Sequence, residues 1–279
     1  MLKIENVVTP SPEQWRSVIM GARNPMNSWD RSDSEFEEHC LKNWPHDIVT
    51  TFENLGSNDH DLLMRLRNAG TDHRKFMRML PVHMDVIAPF YWWKEFSTYK
   101  VGTVANSCST MHKIAAKEFT LEDFSCEHLD RFVKDTGLDV APVYDFKQPL
   151  EYIIKCLNDA RNLYLETKDK KYWWQMIQLL PSSYNQKRTV MLNYEVLANI
   201  YKSRRNHRLD EWHVLCDWIE GLPYSELITG EKERCDFMKT HTEKEEWPST
   251  VEETSKAFEK WDKIIDKMRN PEESNENKT

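Results

Sequence analysis

The sequence predicts an α+β protein in which helices predominate over a small set of strands. Three observations lead there. Glycine is scarce, at 7 in 279 residues, while tryptophan and methionine reach 11 and 12, a composition suited to bulky helical packing rather than to a barrel of tight turns. Residues 150–168 and 59–69 carry apolar side chains at three- and four-residue spacing, the period of a helix with one buried face. Residues 79–87 alternate loosely instead and read as a strand.

Residues 1–10 read as a short strand or an arm. Ser11-Pro12-Glu13-Gln14 then forms a helix start, with Ser11 as cap, Pro12 first in the helix and Gln14 completing a capping box. Trp15, Val18 and Ile19 give that helix its apolar face, and Gly21 is expected to end it. Residues 22–33 read as a polar loop in which Arg23 and Asn24 either serve a ligand or lie on the surface. Residues 35–41 read as a short amphipathic helix closed by Pro45. The helix over 59–69 presents Leu62, Leu63 and Leu66 and breaks at Gly70. Asp72, His73, Arg74, Lys75 and Arg78 then surround Phe76, either as a basic patch or as a solvated helix start.

Residues 88–113, APFYWWKEFSTYKVGTVANSCSTMHK, hold the densest mixture of aromatic and hydrogen-bonding side chains in the chain. Ala88-Pro89 ends the strand, because proline lacks a donor and restricts its neighbour. Residues 90–99 are helical, with aromatics on both faces. Asn106 to Thr110 is a run of short polar residues, which bond the local backbone or cap a new helix. The stretch is therefore either helix, turn and cap, or a pocket where Tyr99, Lys100, Asn106, Ser109 and His112 converge on a polar ligand.

Beyond it, Thr120 to Asp123 caps a helix running to Phe132, and residues 137–149 form a long loop. The helix over 150–168 carries the stripe Ile153, Ile154, Leu157, Ala160, Leu163 and Tyr164, a core face. A further helix over 170–180 is stopped by Pro181, and residues 182–188 read as a polar loop. From Val190 a helix resumes, with Asn193 and Asn199 as amides embedded in it; if buried, each needs a structural partner or a ligand. Arg204, Arg205, His207 and Arg208 form the most basic cluster, suited either to a phosphate or to intrahelical ion pairs. A helix over 211–220 follows. Three divisions are expected: a domain over 1–229, a charged extension over 230–269 ending in a docking helix, and a disordered tail over 270–279.

The formal charge of -8 argues against coating extended nucleic acid, though it leaves room for a local phosphate pocket. Six widely spaced cysteines without a C-x-x-C pair read as reduced thiols, not a zinc site. No signal peptide pattern and no bilayer-spanning apolar run are seen, so a cytoplasmic protein is expected.

Residues 15–228 resemble the flavin-dependent thymidylate synthases. Gly21-Ala22-Arg23 resembles an early A-A-R segment of that family. Residues 62–70, followed by Lys75-Phe76-Met77-Arg78, follow its next segment, with Arg78 where the family carries histidine. The family signature, approximately R-H-R, a spacer with serine, then N-E-L-S-x-R-Y, falls on Thr98-Tyr99-Lys100, Thr103 and Asn106 to His112. Asn106 and Ser109 match it, and Met111 replaces an arginine that in the family holds substrate phosphate. Leu180-Pro181, Asn193, Glu195 (in place of arginine), Arg204 or Arg205, and Glu211-Trp212-His213 follow its C-terminal pattern.

The resemblance implies a predominantly helical α+β fold with a small mixed or antiparallel sheet, and a homotetramer binding FAD and a nucleotide such as dUMP. It also implies reductive methylation or hydroxymethylation of that nucleotide, with reduced nicotinamide and a folate carbon donor. By the same resemblance Ser109 and Lys100 serve catalysis, Ser109 orienting the substrate rather than attacking it. Asn106, Ser109, Arg204 and Arg205 serve the substrate, and Arg78, Tyr99, Lys100, Asn193 and Asn199 the cofactor. The alternative is a nucleotide-binding or regulatory scaffold that lacks thymidylate synthase activity.

Overall fold

The computed structural model describes residues 2–41, 44–130, 133–134 and 143–230. These residues all fall within the compact unit Met1–Cys235. Past Gly230, the extension and tail expected from the sequence lie outside the described residues, as do Phe132 and much of the loop expected over 137–149.

The chain opens with β1 (Lys3–Val8) and α1 (Pro12–Arg23). The capping box is present, with the Ser11 hydroxyl accepting from the Gln14 amide and the Gln14 side chain from the Ser11 amide. Gly21 does not end the helix, which runs on to an Asn24 cap. Residues 35–41 are not helical. They form β2 (Glu35–Leu41), antiparallel to β3 (Trp44–Asn54), with Phe36 stacked on Phe52 at 4.6 Å. The β-branched run Ile48-Val49-Thr50-Thr51 supplies a strong neighbouring strand, and that long-range partner overrides the weak helical pattern.

Helix α2 (Ser57–Asn68) buries Leu63, and Gly70 beyond it adopts φ +106°. A 3-10 turn over Arg74–Met79 leads into β4 (Pro81–Pro89) and α3 (Phe90–Phe96). Alternate residues Val82, Met84, Val86 and Ala88 of β4 are buried, as a strand with one core face requires. Trp92, Trp93 and Phe96 on α3 are all buried, in keeping with the aromatics on both its faces.

Next come β5 (Val104–Ser107), α4 (Thr110–Lys113) and a 3-10 turn at Leu121–Asp123. The Thr120–Asp123 capping box exists, but it closes only that turn, and Phe124 is already extended. A small pair, β6 (Val133–Lys134) and β7 (Val143–Tyr144), precedes α5 (Lys147–Thr167) and α6 (Lys170–Leu179).

The largest revision follows. Residues 185–188 of the expected loop and the start of the expected helix at Val190 together belong to β8 (Asn185–Asn193), an interior strand of the main sheet, while residues 182–184 form the turn before it. Helices α7 (Tyr194–Arg204), α8 (Asp210–Glu220) and α9 (Glu226–Thr229) follow.

Among the described residues the main sheet has four strands in the order β1-β4-β8-β5, each antiparallel to its neighbour. β4 and β8 pair from Pro81↔Asn193 to Pro89↔Asn185. One core cluster joins this sheet to α1, α2, α3, α7, α8 and α9 through residues such as Trp15, Leu63, Trp92, Leu192, Leu197 and Leu215. A second joins α5 and α6 to residues 114–124 through Leu157, Met176, Ile114, Phe119 and Phe124. The start of β8 and the segment after β5 therefore meet where two cores adjoin.

Candidate functional site

That junction holds a cleft of about 510 Å³. Ser109 lies on its wall and caps α4, its hydroxyl accepting from the His112 amide at 3.1 Å and lying 2.8 Å from His112 Nδ1. Cys108 is pinned to β8: its amide donates to the Lys187 carbonyl at 3.0 Å, and its carbonyl accepts from Gln186 Nε2 at 2.7 Å. Lys3, Lys113, Lys117 and Lys187 face the cleft, against the carboxylates Glu122 and Asp123. Lys117 is ion-paired with Asp123, which raises its pKa. Lys187 bonds Asp85 at 2.9 Å, with the same effect. Exposed Lys113 has no ion pair among the described residues. Tyr184 closes one side within an aromatic group of Phe90, Phe119 and Phe124, and burial raises its pKa.

A second concavity, about 490 Å³, lies between the end of α2 and the outer face of α7. Arg67, Arg74, Asn199, Lys202 and Arg205 line it, and no lining residue is a carboxylate. Burial and the neighbouring Arg74 charge both lower the pKa of Arg67, so two guanidinium groups sit close enough to repel. Arg74 Nε is buried without a hydrogen bond, and Glu195 Oε1 lies 3.5 Å from it. Arg205 is held by Asp217 at 2.6 Å and Glu220 at 3.2 Å.

Glu195 also receives Arg78, whose Nε lies 2.5 Å from Oε2 and whose Nη2 donates to the Thr71 carbonyl at 3.0 Å. Arg78 and Glu195 stand at two positions where the chain departs from the pattern it resembles. They answer each other as one ion pair.

The remaining expected residues lie elsewhere. Glu95 Oε2 accepts from Arg204 Nη1 at 2.9 Å and from Trp212 Nε1 at 3.0 Å, and lies 3.4 Å from His207 Nε2. Arg204 Nε donates to the Tyr99 hydroxyl at 3.0 Å, and its guanidinium lies 4.7 Å over Trp212. Tyr91 donates to buried Glu211, and burial followed by that bond raises the tyrosine pKa. Arg204, Tyr99, Glu211 and Trp212 thus brace α3 against α7 and α8.

Lys100 is exposed, and Asn106 is exposed on edge strand β5. Asn193 is not embedded in a helix. It caps α7, accepting from the Val196 amide at 3.0 Å, and a Cβ at Gly102 (φ +76°) would stand 3.0 Å from its Nδ2. Asn199, on the exposed side of α7, reaches the second concavity together with Arg205.

Sequence reasoning singled out Ser109 and missed Lys113, Lys117 and Lys187. It also missed Arg188, which is half-buried, lies 4.3 Å over Trp93 and donates to Gln186 Oε1 at 2.9 Å. The alternation Gln186, Arg188, Val190, Leu192 against Lys187, Thr189, Met191 was the available signal, since it assigns 185–193 to a strand with two distinct faces.

The fold defines an α+β protein with the architecture of flavin-dependent thymidylate synthases. Thymidylate synthase X from Helicobacter pylori, solved with FAD and dUMP, superposes with a TM-score of 0.54 at 15% identity, over 82% of this chain and 98% of that one. A second structure of the flavin-dependent enzyme from the same organism, complexed with FAD and dUMP, gives 0.53 at 15% identity over the same shares. A UMP/dUMP methylase from Streptomyces cacaoi, bound with 5-Br dUMP, is more distant, at 0.47 and 15% over 79% of this chain and 88% of that one. No family model and no curated protein matches the chain. Among the described residues, no helix is long and apolar enough to cross a membrane.

Proposed function

We propose that this protein binds a pyrimidine deoxynucleotide such as dUMP in the cleft beside Ser109 and modifies its base in a flavin-dependent reaction, by reductive methylation or hydroxymethylation. The observation that carries this reading is the meeting of Ser109 with Lys113, Lys117 and Lys187 in one cleft of nucleotide dimensions. Lys117 is paired with Asp123 and Lys187 with Asp85 and Glu5, so the positive charge that one phosphate requires comes chiefly from Lys3 and Lys113, with Glu122 beside them. Charge that the family pattern places at the position of Met111 is supplied here by lysines from α4, the loop after it and β8. Lys113 takes the phosphate directly, and Lys117 is shared with Asp123. Ser109 orients the base or sugar. The hydroxyl lies 2.8 Å from His112 Nδ1, but no described carboxylate orients that imidazole, in keeping with an orienting rather than a nucleophilic role for Ser109.

Arg67, Arg74, Lys202 and Arg205, with Asn199, would hold the phosphates of FAD. The concavity is lined by cations and by no carboxylate, which fits an anionic group, although Arg74 also faces Glu195 and Arg205 is held by Asp217 and Glu220 from beyond the lining. When bound, flavin supplies the hydride that base reduction requires. Reduced nicotinamide as electron source, a folate as carbon donor and assembly as a homotetramer complete the proposal, on the strength of the resemblance.

A second reading, a nucleotide-binding scaffold without thymidylate synthase activity, is favoured by one observation. Both arginines expected at the substrate are engaged by protein carboxylates, Arg204 by Glu95 and Arg205 by Asp217 and Glu220.

Alkylation of Cys108, which is exposed in the cleft, tests the binding step common to both readings. Saturating dUMP is expected to slow iodoacetamide labelling of Cys108, and Ser109→Tyr to abolish that protection. An unchanged labelling rate removes the nucleotide from this cleft.

A further inference from the structure

A third concavity, about 680 Å³, shares no lining residue with the two sites above. It opens between the turns over residues 24–31 and α2. Its walls include Arg23, Arg31 and Arg65, with Asn58, Asp30 and Asp61. We infer that it is a separate binding site for a compact oxyanion, a single carboxylate or phosphate group carried by a small molecule.

The argument rests on Arg23, which is 4% exposed. Its Nε bonds Asp59 Oδ1 at 2.5 Å, and its Nη1 donates to the Ser28 carbonyl at 3.1 Å. Its Nη2 is buried and has no hydrogen-bond partner. Asp59 is committed elsewhere, since its Oδ2 accepts from the Ser32 and Ser34 hydroxyls and from the Asp33 and Ser34 amides. That carboxylate holds the loop to α2, and the third guanidinium donor is left over.

Buried guanidinium donors are normally satisfied. Arg23 is one of the residues lining the concavity, so this donor lies within its wall, and the Asp59 bond fixes the orientation of its guanidinium. Arg31 and Arg65 are exposed on the same concavity, and neither pairs with a carboxylate among the described residues; Arg65 Nε bonds only the Asp61 carbonyl, at 3.3 Å. Three guanidinium forks around one cavity suit an oxyanion. Asp30 and Asp61 in the same walls set the limit, because they repel an extended polyanion and leave room for one charged group.

The test uses the full chain and two ligands, inorganic phosphate and acetate, titrated calorimetrically, with arginine modification by phenylglyoxal mapped in parallel. Arg23 is avoided as a target because its loss strands Asp59; R31Q/R65Q changes only exposed side chains. One of the two anions is expected to bind saturably, to protect Arg31 and Arg65 while leaving exposed Arg208 reactive, and to lose affinity about tenfold or more in R31Q/R65Q. Preference for phosphate or for acetate assigns the natural group. Absence of saturable binding by both, affinity unchanged in R31Q/R65Q, or unprotected Arg31 and Arg65 overturns the inference.

Discussion

Asp59→Asn is the sharpest perturbation of the scaffold that places these sites. The carboxylate is fully buried, and its partner Arg23 is 4% exposed. Five donors converge on it: the Arg23 guanidinium at 2.5 Å, two serine hydroxyls and two backbone amides between 2.6 and 3.2 Å. An amide replaces one acceptor oxygen by a donor that faces donors, and it leaves the Arg23 charge buried without its counter-ion. Breaking one side of a buried pair costs about 3–5 kcal/mol. With a urea slope of about 2 kcal/mol/M, the midpoint should fall by roughly 1.5–2.5 M. In an Arg23→Met background the same change should cost about 2 kcal/mol less, because no charge is stranded. A single-variant loss below about 1 kcal/mol, or strict additivity in the cycle, would refute the reasoning.

Four further outcomes follow from the geometry. Arg204→Ala should destabilise by about 1–3 kcal/mol, since it strips Glu95 and Tyr99 of a shared donor beneath Trp212. Arg205→Ala, at exposed pairs, should stay within about 0.5 kcal/mol yet weaken FAD retention, and equal thermal shifts in the two variants would contradict this division. Burial pushes the Cys216 thiol up to about 11, so it should resist alkylation at pH 8 while Cys108 reacts; comparable labelling of the two by mass spectrometry would contradict the burial argument. The Thr189 hydroxyl, the Asn6 amide and Lys187 hold the Asp85 carboxyl well below its ordinary value. Its contribution is therefore present above about pH 4, the unfolded value, and lost as pH falls toward the folded one. The stability gap between wild type and Asp85→Asn should narrow below about pH 4, and a gap constant down to pH 2 would argue against it.

How much of this was legible in the sequence depended on where each element finds its partners. Helix α1 was readable because Ser11, Pro12 and Gln14 satisfy its first amides locally. The strand β4 ends where Pro89 says it should, and α2, α5, α6 and α8 carry stripes whose period needs no distant information. β2 and β8 failed for the opposite reason. Glu35-Phe36-Glu37-Glu38 becomes a strand because β3 lies beside it. The polar start of β8 is tolerated in the sheet because Gln186 reaches the Cys108 carbonyl and Arg188 lies over Trp93. Both partners are far away in the chain.

The site was legible to the same extent. Ser109 stood out from local polarity, which also predicts its capping role. Lys113, Lys117 and Lys187 meet only after β8 pairs with β5, so no spacing rule finds them. The Arg78–Glu195 pair, 117 positions apart, could be seen only as two separate departures from a family pattern.

Release of tritium from dUMP labelled at C5 tests the central claim most directly, because any carbon addition at C5 must expel that hydrogen whichever carbon donor is used. With FAD, reduced nicotinamide and a folate carbon donor supplied, the account predicts flavin-dependent release that falls sharply in Ser109→Tyr. Protein that binds both FAD and dUMP yet releases no tritium would contradict it and leave the scaffold reading in its place.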